Sequence, residues 1–358
     1  MMQRRQVLRW GWGLLAASAF GNVSALDSHS RSLRNSEKLI WRERALVGFG
    51  TTLWIKAAHE NADLIEEALM AAVQTIRRVE RQMSLFDPES QLSRLNRAGS
   101  LKKPDAELFS VLKIAEHISR HCQGAFDISM QPLWDSWSKA AAQKNVPDLR
   151  EIQSARNFVN WHAVNATPEI VRLQLPGMGL SLNGIAQGYA ADRVRDTLHA
   201  HGIRHALIDA GETALLGNAP NDKPWNLGIE SSAFLAKNSA IKKSIRPKED
   251  QCLVESPVVI NDGRAMATSS DAHTTFSEDH RYHHILNPHT GYSPVYWSSV
   301  TVLASSCVAA DALTKVFFMT PPNHVLAKAQ SWNVDVVMQD KSGKWLASSG
   351  ALLREKIS

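Results

Sequence analysis

Between Thr268 and Lys315 the chain concentrates groups that move protons and hold cations. The run opens with Thr-Ser-Ser-Asp-Ala-His, continues through the adjacent pair His283 and His284, and ends on Asp311, Thr314 and Lys315. Imidazole titrates near neutral pH, so a histidine here suits acid/base work or contact with phosphate. Adjacent residues in a strand point to opposite faces, which leaves one ring of the pair for chemistry and the other for structure. His280 and His289 lie close by, but no Cys and no HxxxH spacing supports zinc. Asn287-Pro288-His289-Thr290-Gly291 reads as a turn that fixes the exit of the histidine strand.

Asp311 falls among Val308, Leu313, Val316 and Phe317, in a stretch whose pattern predicts a helix over 309–319. A carboxylate in such an apolar stretch either caps something or holds a cation. Thr314 lies one turn on and shares its face. An oxygen pair of this kind suits Mg²⁺, which keeps few protein ligands and completes its shell with phosphate oxygens and water.

A second constellation is Leu182-Asn183-Gly184-Ile185-Ala186-Gln187-Gly188-Tyr189. Residues 180–182 read as a strand, Asn183-Gly184 as a turn and 185–200 as a helix. The N–H groups and dipole of a helix start favour a phosphate there. Small residues at 184, 186 and 188 equally allow another backbone to pack closely, and both readings stand. Met83-Ser84-Leu85-Phe86 and Ala125-Phe126-Asp127-Ile128 join apolar surface to single polar groups. They read either as core or as the brackets of a flat aromatic ligand.

These segments must be held by a large mixed scaffold. Residues 39–55 read as strands around the turn Gly48-Phe49-Gly50. Asn61 is a candidate N-cap, and behind it Leu64, Ile65, Ala68, Leu69, Ala72, Val73, Ile76 and Val79 recur at helical spacing up to Met83. Further helices are expected over 107–121 and 324–332, with short helices and polar turns over 134–167. Strands are expected over 204–210, 225–230, 258–267, 298–304, 334–338 and 345–347. Residues 231–255 are polar and lysine-rich, as a surface insertion would be. Helices and strands mix irregularly, which predicts an α+β fold.

The 358 residues suffice for a large core. Of the formal charge of +5, part comes from Arg4, Arg5 and Arg9, and no basic stripe with interleaved aromatics is present, so a nucleic-acid partner is not expected. The basic cluster Lys242 to Lys248 reads as a solvated loop. Arg4-Arg5-Gln6-Val7-Leu8-Arg9, an apolar run to Phe20 and the small residues Val23-Ser24-Ala25 read as a twin-arginine export signal over 1–25. That run is too short to be a permanent span of ~20 residues. A linker over 26–38 and one domain over 39–356 follow, with a periplasmic location. Cys122, Cys252 and Cys307 are expected mostly as buried thiols.

Taken in order, MSLFDPESQLSRLN, GAFDISMQPLWDSW, LNGIAQGYAADRV, ALIDAGE, TSSD, HHILNPHTG and AADALTK resemble the ApbE-type FAD:protein FMN transferases over most of the chain after residue 40. The resemblance implies an ApbE-like (T-fold-like) α+β fold of mixed sheets with packed helices, and a flavin cleft between a larger and a smaller subdomain. It implies transfer of the FMN moiety of FAD to a Thr or Ser hydroxyl of a partner flavoprotein, with release of AMP and with Mg²⁺ binding the pyrophosphate. The partner class is a membrane-associated electron-transfer subunit.

Carried onto this sequence, the resemblance makes His284 the catalytic base. It assigns metal ligation to the Gly184 backbone, Asp311 and Thr314, with the position of Lys315 adjoining. Flavin or adenosine contacts fall to Met83, Ala125, Phe126, Asp127, Ser181, Gln187 and Ile285. Four positions depart from the family pattern: Ser181 stands for Asp, Gln187 for a charged residue, Asn287 for Asp, and Lys315 for a hydroxyl residue. The last removes an oxygen ligand and adds a cation that could itself meet phosphate. Two other readings use the same scaffold: an Mg²⁺-dependent FAD pyrophosphatase giving FMN and AMP, or a non-enzymatic FAD-binding accessory protein.

Overall fold

The computed structural model describes residues 39–229 and 257–354, apart from His273 and Glu278. The expected signal, the linker, the 231–255 insertion with its basic cluster, and Cys252 lie outside the described residues.

Strands β1 (Ile40–Gly48) and β2 (Thr51–His59) form a hairpin in full register. Its two-residue loop is Phe49-Gly50, at φ 49 and 79, the left-handed pair that a tight hairpin requires. Along β2, Leu53, Ile55 and Ala57 are buried while Trp54 is exposed, the period of a half-covered strand. Helix α1 (Ala62–Met83) follows and lays Ile65, Leu69, Ala72 and Ile76 against that face. Asn61 caps it as expected: its Oδ1 accepts from the N–H groups of Asp63 and Leu64, at 2.8 and 3.1 Å.

The chain then builds a smaller, mostly helical part from α2 (Gln91–Ala98), β3 (Ser100–Lys102), α3 (Ala106–His121), α4 (Gln131–Ala142), α5 (Leu149–Arg156), β4 (Val164–Ala166) and β5 (Ile170–Leu173). Its three strands pair in the order β3-β5-β4. Helix α6 (Ala186–Ala200) leads back to the main sheet through β6 (His205–Asp209) and β7 (Thr213–Leu216). Next come β8 (Asn226–Gly228), β9 (Val258–Ile260), β10 (Ala265–Ser270), β11 (Trp297–Ala304), α7 (Cys307–Phe318), α8 (Val325–Trp332), β12 (Asp335–Asp340) and β13 (Trp345–Ala347).

The main sheet has eight strands in the order β1-β2-β6-β7-β10-β11-β12-β13, antiparallel throughout. Helix α1 and α6 cover one face through Ala191, Val194 and Leu198. The β8–β9 pair covers part of the other face through Leu227 and Val259, which pack with Met266, Leu303 and Val337. This is the α+β architecture expected from the irregular element order.

Several boundaries differ from expectation, and three of the differences have a tertiary reason. Residues 180–182 form no strand, because the Asn96 side chain takes both backbone groups of Leu180 and Ser181 donates its N–H to Ile128. Residues 258–267 are two strands, interrupted where Asn261 bonds to Gly263 and Arg264 and Gly263 adopts φ 99. Helix α7 starts two residues early because Asp192 of α6 accepts the N–H groups of Cys307 and Val308 at 3.0 and 2.9 Å.

Candidate functional site

The site is built where α6 crosses α7. Gly188 permits the approach: a Cβ there would lie 2.4 Å from the Cys307 carbonyl oxygen and 2.8 Å from Asp311 Cβ. Its N–H donates to Asp311 Oδ2 at 3.1 Å. Of the two readings of these small residues, close packing therefore holds at 188. Ile185 and Ala186 donate their N–H groups to the Leu182 carbonyl, so three N–H groups at this helix start are engaged within the protein. The helix start does not present the open set of donors expected of a phosphate cradle.

Asp311 is fully buried, and its second carboxylate oxygen is also engaged. Lys315, one turn on, donates to Asp311 Oδ1 at 2.5 Å and to the Asp311 carbonyl at 3.1 Å. The lysine stem runs over Gly184, where a Cβ would fall 3.0 Å from Lys315 Cε and 3.5 Å from the Phe126 ring. Thr314 donates to the Asp311 carbonyl at 2.6 Å and lies 2.7 Å from the Ser269 hydroxyl. The structure thus gathers Gly184, Asp311, Thr314, Lys315 and Phe126, with Ser269 of the Thr268-Ser-Ser-Asp run added by β10.

Glu212, in the β6–β7 turn, is a member that sequence reasoning did not single out. It accepts from the Thr268 N–H at 2.9 Å. Burial, and then the charge of Asp311, push its carboxyl well above the usual range. Only its place inside Ala-Leu-Ile-Asp-Ala-Gly-Glu signalled it beforehand.

The two histidines part company, although they do not lie in a strand; only a single bridge joins Thr275 to His283. His283 is fully buried, with Nε2 3.4 Å from the Pro294 carbonyl, and burial lowers its pKa to about 3. It is the structural member. His284 is partly exposed, and its Nδ1 lies 3.0 Å from the Thr274 carbonyl oxygen. A carbonyl oxygen only accepts, so Nδ1 carries the hydrogen and the neutral ring keeps its lone pair on Nε2. Trp137 of α4 docks this loop: its Nε1 donates to the Gly291 carbonyl at 2.8 Å and its ring meets Phe276, Tyr282 and Tyr292. Asn287 shapes the following turn by accepting from His289 and Thr290.

Among the residues expected to meet flavin, Met83, Phe126 and Ile285 share one buried cluster with Leu182, Ile185 and Leu313, and Ala125 packs at its edge. Asp127 is buried and occupied within its own loop, accepting from Ser129 and from the Trp161 N–H. Burial raises its carboxyl pKa. Ser181 accepts weakly from the Asn183 N–H, and Gln187 lies over Gly211. Two concavities, one between α4 and α5 and one beside β13, include none of Gly184, His284 or Asp311. Cys122 and Cys307 are buried free thiols, as expected.

The sheet order and the helix layer define an α+β fold shared with solved proteins of the ApbE type. The ApbE protein of Thermotoga maritima superposes with a TM-score of 0.74 at 24% identity, covering 87% of this chain and 97% of that one. The flavin transferase ApbE of Vibrio cholerae gives 0.71 at 24%, covering 87% and 98%. The ApbE family pattern matches residues 49–338, and the chain belongs to the ApbE family. A Klebsiella pneumoniae relative, an FAD:protein FMN transferase, is 29% identical over 301 residues, 81% of this chain and 87% of its own. A Vibrio cholerae relative of the same name is 28% identical over 299 residues, 81% and 84%.

Proposed function

We propose that this chain is an FAD:protein FMN transferase acting on a Thr or Ser hydroxyl of a partner flavoprotein. The hydroxyl oxygen attacks the phosphorus borne by the riboflavin moiety, forming a phosphoester. The bond from that phosphorus to the bridging oxygen breaks, and AMP leaves carrying that oxygen. His284 Nε2 takes the hydroxyl proton. The observation that carries the reading is the ApbE family match over residues 49–338, with His284 Nδ1 held 3.0 Å from the Thr274 carbonyl oxygen. The relatives' shared name and coverage support it.

Phosphoryl transfer needs positioning and neutralisation of charge more than covalent help from the protein. By the family resemblance the flavin would lie at the edge of the cluster that holds Phe126, Ile285 and Met83, where Ala125 is partly exposed. The Mg²⁺ implied by resemblance does not suit the donors as arranged. Both Asp311 oxygens already accept hydrogen bonds, Thr314 is turned to Ser269, and an ammonium sits where an ion would approach. Export by the twin-arginine-like leader, and an acceptor facing the same compartment, belong to this proposal.

Incubation with FAD and an acceptor-domain protein tests it by mass spectrometry of the acceptor. Covalent flavin with equimolar AMP is expected. Free FMN and AMP without labelling would instead establish the pyrophosphatase, and FAD bound unchanged would leave an accessory protein.

A further inference from the structure

We propose that Lys315 replaces the divalent ion at this site: its ammonium, fixed on Asp311, is the cation that meets the FAD pyrophosphate, and flavin nucleotide binding here needs no divalent metal. This rests on the FAD-dependent reading above.

Four observations carry it. The ammonium is bound at two points, Asp311 Oδ1 and the Asp311 carbonyl, so it is placed as a ligated ion would be and not left as a mobile surface charge. An ammonium has three N–H donors; two are engaged on Asp311, and the third has no partner among the described residues. The pair is also asymmetric: the Lys315 side chain is 20% exposed while that of Asp311 is 1% exposed, so the cation forms the outer side and the carboxylate the inner. Finally, the stem crosses Gly184, which stands beside the Phe126 ring, so the ammonium and the candidate flavin wall share one floor.

Among the described residues, the hydroxyl of this helix does not offer itself as an alternative oxygen donor. Thr314 is fully buried and tied to Ser269 and the Asp311 carbonyl. Mg²⁺ needs oxygens at about 2.0–2.1 Å in near-octahedral geometry, and to ligate Asp311 Oδ1 it would have to displace the lysine. One positive charge supplied by the chain is less than a divalent ion supplies. It is, however, built into the chain, so no ion has to be recruited from solution.

The test uses the full chain. FAD affinity is measured by flavin fluorescence in EDTA and in excess Mg²⁺, and Mn²⁺ binding by calorimetry. In the unaltered protein the FAD Kd is expected to differ by less than about twofold between the two conditions, with no saturable Mn²⁺ site. Lys315→Thr is expected to acquire one Mn²⁺ site and an FAD Kd that weakens about tenfold in EDTA, the loss of one charge-assisted contact. Lys315→Arg, which keeps the charge, should retain metal-free FAD binding. A stoichiometric Mn²⁺ site in the unaltered protein, or a tenfold loss of FAD affinity in EDTA, overturns the proposal and leaves the transferase reading intact. Metal-free FAD binding without transfer removes the transferase reading alone, and FAD binding under no condition removes both.

Discussion

Gly188 gives Asp311 both a hydrogen bond and the room to receive it. The N–H reaches Oδ2 at 3.1 Å, and the missing Cβ lets the Cys307 carbonyl and the Asp311 side chain come within van der Waals range of the α6 backbone. One glycine therefore sets the separation of the two helices that carry the site. Gly188→Ala should force α6 and α7 apart, since the added Cβ would meet the Cys307 backbone carbonyl, which cannot swing aside. The expected cost is about 1–3 kcal/mol, read as a lower urea midpoint. FAD affinity should fall with it, because the Asp311–Lys315 pair moves with α7. An alanine variant as stable as the parent would show that the helices have slack there.

What was legible beforehand was local. The Asn61 cap, the apolar spacing of α1 and the Gly48-Phe49-Gly50 turn each act within a few residues, so sequence order alone reveals them. The Leu180–Asn96 and Asp192–Cys307 contacts join positions 84 and 115 residues apart, and no periodicity points across such distances. The Asp311–Lys315 pair is an intermediate case. Its i, i+4 spacing is that of a helical ion pair, a signal present in the sequence but set beside the competing idea of a metal ligand. Glu212 had no signal beyond its place inside Ala-Leu-Ile-Asp-Ala-Gly-Glu, because its contact with Thr268 depends on β10 pairing beside β7.

His284 is assigned the proton and no part of the apolar wall. His284→Ala should therefore leave the FAD Kd within about twofold while transfer falls by about 10²–10⁴, the usual worth of a positioned general base. Flavin fluorescence and covalent labelling of an acceptor read the two quantities separately. Full labelling by the alanine variant would remove His284 from the mechanism.

His283 predicts an acid-sensitive fold. Its pKa is about 3 in the folded chain, through burial first and the Lys341 charge second, against about 6.5 when unfolded. Between those values the unfolded chain binds the extra proton. The contribution of His283 to stability is thus complete above about pH 6.5 and is lost as pH falls toward 3, by up to ~1.4 kcal/mol per pH unit. His283→Phe should flatten this part of the profile in urea titrations at about pH 5 and about pH 7. An unchanged slope would place the ring in contact with water.

Trp137 connects the smaller helical part to the histidine loop, and its two functions can be separated. The indole N–H holds Gly291, beyond the histidines, while the ring packs on Phe276 and Tyr282, before them, at centroid distances of 5.7 and 4.8 Å. The loop bearing His284 is thus gripped on both sides from one residue of α4. Trp137→Phe keeps most of the packing and leaves the buried Gly291 carbonyl without its donor, at about 1–3 kcal/mol. Trp137→Ala also opens a cavity, for about 3–5 kcal/mol in all. Because the grip acts on the base and not on the flavin wall, the phenylalanine variant should lose transfer rate by more than it loses FAD affinity. Parallel measurement of labelling rate and FAD Kd decides the matter; equal losses in both would mean that the loop contacts FAD directly.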